Sequence, residues 1–185
     1  MTPDEFLAWE REQRDERHHY VRGEIFAMSG GFARHSYLGA QMIGLLRQGL
    51  VGGPCNAFTA DLRIGLATDF FVYADALVVC RPMTFREGTK DVVTNPSVVV
   101  EVLSKSTEAY DRGEKLAAYL ALASVQHVVF VSQRIPRVEI YTRQDDGSFR
   151  FEIHEAGATI DLTAIALKLT VDDIYAGALD VRDDA

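Results

Sequence analysis

A chain of 185 residues with 48% hydrophobic and 25% charged residues has enough apolar material for one substantial core, which excludes a disordered chain and leaves no room for two independent cores. Its formal net charge of -8 excludes broad, sequence-independent attraction to polyanions, because affinity for phosphates comes from Lys and Arg displacing counterions. The start carries neither a basic leader nor an apolar stretch, and no window approaches the ~20 apolar residues of a membrane span. A soluble, cytosolic protein is expected.

In chain order, Pro3 to Arg14 opens with Thr2 as a cap, Pro at the first helical position and Asp4 and Glu5 in the first turn, which predicts a helix. Its apolar residues are sparse, so a peripheral helix is expected. "YVRGEIFAMSGG" predicts a strand from about Tyr20 to Met28 with a turn after it. Leu38, Met42, Leu45 and Leu46 line one face of a helix over Ser36 to Leu50. Two β-like runs follow, about Cys55 to Ala67 and Phe70 to Cys80, separated by "TD", and together they read as a hairpin. Cys55 and Cys80 fit no metal-spaced pair or disulfide framework, so two free buried thiols are expected.

A polar loop over Arg81 to Asn95 leads to the strand "VVVEVL", Val98 to Leu103. A helix in "SKSTEAYDRGEKLAAYLALAS" comes next, with Thr107 or Asp111 as its cap, and then the short strand "HVVFVS". Strand, helix and strand in that order predict two parallel strands. "RVEIYTRQDDGSFRFEIHE" alternates on both sides of an Asp-Gly turn, a hairpin signal, and "TVDDIYAGAL" reads as a short capped helix. The order predicts an α/β or α+β domain built on one central sheet.

Two acids interrupt these strands. Val99, Glu101 and Leu103 share one face of their strand, with Val98, Val100 and Val102 on the other, so both faces are apolar and the strand reads as central. Asp75 repeats the anomaly, among Phe71, Tyr73, Leu77 and Val79 on one face of "FFVYADALVVC". A buried carboxylate costs several kcal/mol unless it is paired, hydrogen-bonded or bound to a metal. If the two strands are neighbours the acids converge, and a divalent cation between them relieves the repulsion; oxygen ligands suit Mg²⁺ or Mn²⁺ better than zinc. The alternative is that each acid pairs with an arginine or sits at a strand end near water. Lys115 lies on a helix stripe with Tyr119 and Leu122, at the edge of the apolar face. It stands either as a third member of the site or as the surface partner of Asp111 at i, i+4.

"YAD" and "NPSVVVEVLSKSTEAYDRGEKLAAY", with Glu101 26 positions after Asp75, closely resemble the Uma2 family, also called DUF820, of the PD-(D/E)XK nuclease superfamily. "VRGEIFAMSG", "RHSYLGAQMIGLLRQGL", "ADLRI" and "VSQRIPRVEIYTR" extend the likeness over most of the chain. The resemblance implies one restriction-endonuclease-like domain over 1–185: a mixed central β-sheet flanked by helices, a peripheral helix within 1–15 and a flexible tail at 181–185. It makes Asp75 and Glu101 metal ligands, with Ala74 where the family's Pro usually stands. It implies that Lys115 takes the catalytic lysine's role, since Leu103 occupies the position two residues after Glu101. It also brings Glu24 to the metal, places His35 near the site and makes Asp61 a further polar contact or a turn closer. His18 and His19 receive no role. The implied activity is Mg²⁺- or Mn²⁺-dependent endonucleolytic hydrolysis of DNA, for which so acidic a chain implies weak binding, a metal-screened local surface or the help of a second subunit in a homodimer. A binding or scaffolding protein that keeps the fold without turnover is the rival expectation.

Overall fold

The computed structural model describes residues 1–28 and 31–181. Thr2 caps α1 (Pro3–Glu12) reciprocally: its hydroxyl accepts from the Glu5 N–H, and the Glu5 carboxylate accepts from the Thr2 N–H. Sparse as they are, Phe6 and Leu7 are fully buried against Tyr20 and Phe71, so α1 is part of the core rather than peripheral to it. Its Glu10 is buried as well. That carboxylate accepts from the His18 N–H at 3.0 Å and from the Tyr73 hydroxyl at 3.2 Å, with Arg63 3.8 Å away as counter-charge.

The single strand expected from Tyr20 is two, β1 (His18–Val21) and β2 (Glu24–Ala27), joined by Arg22 and Gly23, both at positive φ. Two successive left-handed residues make the tight hairpin turn whose twist matches its strands, and an Arg there gives little sign of it. Helix α2 (Ala33–Gly49) starts a turn earlier than its periodicity indicates and buries Leu38, Met42 and Leu46.

The expected hairpin of two long runs is four strands in two sheets: β3 (Cys55–Thr59), β4 (Arg63–Ala67), β5 (Phe70–Tyr73) and β6 (Ala76–Cys80). β4 and β5 pair across the predicted Thr68-Asp69 turn, whereas β3 and β6 pair in the other sheet. Both runs break, at Ala60–Leu62 and at Ala74–Asp75, where the chain crosses between sheets. Cys55 and Cys80 face each other across β3 and β6 and form a disulfide, not the two free thiols expected of cysteines that fit no disulfide framework in the sequence. The loop after β6 contains a short strand, β7 (Val92–Val93), parallel to β4.

Next come β8 (Pro96–Leu103), α3 (Glu108–Tyr110), a π-helical turn (Asp111–Lys115) and α4 (Leu116–Ala121), then β9 (His127–Ser132), β10 (Arg137–Arg143) and β11 (Phe149–Glu155). β8 and β9 are parallel, as expected, and β10–β11 is the Asp-Gly hairpin. The short helix of the last segment, α5 (Val171–Tyr175), follows a small two-stranded sheet of β12 (Thr159–Leu162) and β13 (Leu167–Thr170), which the sequence did not announce. Of the expected tail, residues 182–185 lie outside the described residues. No helix among those described is long and apolar enough to cross a membrane.

The α+β architecture is thus two main sheets, ordered β2-β1-β5-β4-β7 and β11-β10-β9-β8-β6-β3, in place of one. Val98, Val100 and Val102 of β8 pack beneath α2, while Val99 and Leu103 face α4 and the five-stranded sheet. Glu101 points to that second face and lies at the seam of the layers.

His127, fully buried at the start of β9, ties the six-stranded sheet to the β12–β13 unit. Its Nε2 accepts the Ala164 N–H at 3.2 Å, which leaves the proton on Nδ1, 3.2 Å from Thr142 Oγ1. Burial lowers its pKa from 6.5 to about 4. The unfolded chain then binds more protons between those values, so this contribution is present above pH 6.5 and is lost as pH falls towards 4. The stability advantage of wild type over His127→Gln, from urea unfolding, should shrink by up to about 3 kcal/mol from pH 7 to pH 4.

Candidate active site at the sheet seam

Asp75 is not on a strand face but in the two-residue gap between β5 and β6. The β6–β8 ladder ends at the Ala76–Val100 pair, and there Asp75 Oδ2 accepts the Val102 N–H at 2.6 Å. The carboxylate takes the place of the backbone carbonyl that a longer ladder would offer. His35, in the first turn of α2, sets Nε2 3.4 Å from the same oxygen. Burial opposes the imidazolium, but the hydrogen bond and charge of Asp75, with the charge of Glu101, outweigh it and raise the His35 pKa.

Glu101 is only 4% exposed. Its Oε1 accepts from Lys115 Nζ at 2.7 Å and from the Tyr119 hydroxyl at 2.6 Å. The regular helix expected after β8 widens into a π-helical turn at Asp111–Lys115, and both of those residues are buried. Such a turn inserts an extra residue and redirects the side chains around it. Lys115 therefore reaches inward, and it also lies 3.5 Å from Asp111: the two alternatives for this lysine coexist, with the Asp111 pair buried rather than on the surface. Burial disfavours the ammonium, but Glu101 and Asp111 outweigh it and hold the Lys115 pKa above its usual value. Burial raises the Glu101 pKa to about 7 against the pull of Lys115, and the charges of Asp75 and Asp111 add to the rise.

Asp75, Glu101, Lys115 and His35 line one cavity of about 410 Å³. Glu24 does not. It stands exposed just after the Arg22-Gly23 turn, on the face of β2 shared with Phe26, and only Phe26 reaches the cavity wall. Asp61 closes the exposed turn after β3, accepting from Thr59 Oγ1 at 2.9 Å and pairing with Arg17. Further polar residues without an assigned role also line the cavity, among them His19, Tyr73, Tyr110, Asp111 and Glu114. Burial, then the charges of Lys115 and His18, lower the His19 pKa to about 3, so it is a neutral imidazole. Asp111 had a signal, its i, i+4 relation to Lys115; His19 had none beyond its place in a strand.

The two acids carry one further oxygen each, Asp75 Oδ1 and Glu101 Oε2, with no hydrogen-bond donor among the described residues. No group of three or more His, Cys, Asp or Glu side chains among the described residues is arranged to hold a metal ion. Two carboxylates with open oxygens on a cavity roomy enough for several waters nevertheless fit Mg²⁺, which keeps several waters and needs only one or two protein carboxylates. The repulsion that called for a cation is already met in part by Lys115 and His35, and no arginine among the described residues pairs with either acid.

The two-sheet α+β fold has a solved counterpart. It superimposes on the crystal structure of "a putative nuclease belonging to DUF820" from Anabaena variabilis with a TM-score of 0.79, covering 96% of this chain and 99% of that one at 18% identity. The fold is therefore nuclease-like. The sequence model of Uma2, described as "Putative restriction endonuclease", matches residues 3–172, and the chain belongs to that family. Two Synechocystis proteins, both named as uncharacterized, are similar in sequence. One, slr1290, is 38% identical over 96% of this chain and 92% of its own length; the other, sll1609, is 30% identical over 79% and 82%.

Removing Lys115 leaves Glu101 buried without a counter-charge, a loss of about 3–5 kcal/mol. A carboxyl whose folded pKa exceeds its unfolded value of 4.5 binds more protons folded, so stability falls as pH rises through that window. In EDTA, urea unfolding of Lys115→Met should show that loss at pH 8 and a much smaller one at pH 5. Adding Glu101→Gln should recover most of it at pH 8.

Proposed function

We propose that this chain is a metal-dependent endonuclease that hydrolyses phosphodiester bonds in DNA. The observation that carries the reading is the convergence of Asp75, from the gap between sheets, and Glu101, from β8, on one cavity with a buried lysine. A Mg²⁺ or Mn²⁺ ion held by the open oxygens of the two carboxylates would polarise the phosphate and lower the pKa of a bound water. The chain supplies the rest. Lys115, kept charged by Glu101 and Asp111, donates to the attacking water or to a phosphate oxygen gaining charge. Tyr119 fixes Glu101 through Oε1, and Val102 and His35 fix Asp75 through Oδ2, so each acid presents its other oxygen. Asp111 positions Lys115. Neutral His19 is a further donor or acceptor on the wall that carries no positive charge of its own.

The second reading, a binding protein without turnover, is favoured by the same pair: Lys115 already neutralises Glu101. Metal titration separates the two. Millimolar Mn²⁺ should raise the melting temperature of wild type saturably, and Asp75→Asn should abolish the rise, because only a ligand of the native state stabilises it. Supercoiled plasmid and single-stranded DNA should be cut by wild type and not by Asp75→Ala or Lys115→Ala. A metal response without cleavage of either DNA would sink the nuclease reading and support the binding protein.

A further inference from the structure

The cavity wall formed by Val102 does not end the site. One residue on, Leu103 and Ser104 floor a second depression of about 560 Å³, bounded by Phe32 ahead of α2 and by Gln133 and Arg134 after β9. Because β8 and β9 are parallel, both chains leave the sheet on this edge, two residues beyond Glu101. The floor is fixed: Gln133 Nε2 donates to the Leu103 carbonyl at 3.0 Å, and the Ser104 hydroxyl lies 2.9 Å from that of Thr107.

Among the described residues the lining holds three cations, Arg34, Lys105 and Arg134, and no acid, in a chain whose net charge is -8. Arg34 donates to the carbonyls of Gln133 and Val181 and so braces the wall. Lys105 and Arg134 are exposed, and neither has an ion-pair partner among the described residues. Phe32, at the cap position of α2, lines the same depression and is 67% exposed. The open groove on the far side of His35 and Asp75 is different: there Asp15 and Glu16 accompany Arg14 and Arg17, and Arg17 is paired with Asp61.

An aromatic face left in water beside unpaired cations is how proteins hold a single strand, with the ring stacking on a base and the cations on its phosphates. A duplex keeps its bases inside the stack, out of reach of such a ring. We propose that this depression is a track for single-stranded nucleic acid, with Phe32 stacking on an unpaired base and Lys105 and Arg134 holding neighbouring phosphates. The destination of the strand, the Asp75–Glu101 cavity, rests on the nuclease reading; the track itself does not.

The test is fluorescence anisotropy with the full chain in EDTA, using a labelled 20-nucleotide single strand and a hairpin duplex of the same sequence. The single strand should bind more tightly. Phe32→Ala should weaken it about 10-fold while Phe32→Trp retains it. Lys105→Ser with Arg134→Ser should flatten the slope of log affinity against log salt by about 1.4. Equal affinity for the duplex, indifference to Phe32→Ala, or competition by polyglutamate as effective as by the single strand would each overturn the proposal. No cleavage enters this measurement, so a chain that binds as described but never cuts defeats only the nuclease reading. One that cuts plasmid and ignores Phe32 defeats only the track.

Discussion

The buried ion pair between Lys115 and Glu101 is the constraint around which this end of the molecule is arranged. Glu101 occupies a position that its neighbours Val99 and Leu103 mark as apolar core, on the face that receives α4. Left alone there, the carboxylate would be protonated or the sheet would open. The helix after β8 answers with a widened turn, which places Lys115 over the strand and Asp111 behind the lysine, and Tyr119 closes the group from the next turn. Ion pairs of this kind add little net stability over apolar residues of the same shape. Folding stability alone therefore does not account for their presence in the core.

Asp75 reaches the same place by a different route. A continuous strand from Phe70 to Cys80 would bury it within a single sheet. The chain instead leaves one sheet at Tyr73 and joins the other at Ala76, and the acid sits in the interval with its side chain closing the β6–β8 ladder at Val102. A residue that ends one sheet's pairing is at once structural and exposed to the cavity between the layers. The seam therefore accounts both for why the acid is tolerated and for why it faces Glu101.

Much of this was legible in the residues. Period-two alternation placed Glu101 among valines and leucine, and the order of strand, helix and strand required β8 and β9 to be parallel. Sequence could not show that the Cys55–Ala67 and Phe70–Cys80 runs split between two sheets, because the breaks at Ala60–Leu62 and Ala74–Asp75 carry no Gly or Pro. The turn at Arg22-Gly23 was hidden by an Arg in a left-handed conformation. The depth of α1 was hidden by its composition, in which two apolar residues and one paired glutamate do the burying. The disulfide is a contact between residues 25 apart that only the β3–β6 pairing creates. Lys115 was visible as an edge residue, and its inward turn was not, since a π-helical turn has no simple periodicity to read.

Membership of the Uma2 family and the nuclease-like fold give the seam its context, and the central claim is that Asp75 and Glu101 share one divalent ion beside Lys115. Anomalous diffraction from crystals soaked in Mn²⁺ addresses it most directly. The account predicts a peak within coordination distance of Asp75 Oδ1 and Glu101 Oε2, with the ammonium of Lys115 still in the cavity. Manganese bound elsewhere on the surface, with the Lys115–Glu101 pair intact and no density between the two acids, would contradict it.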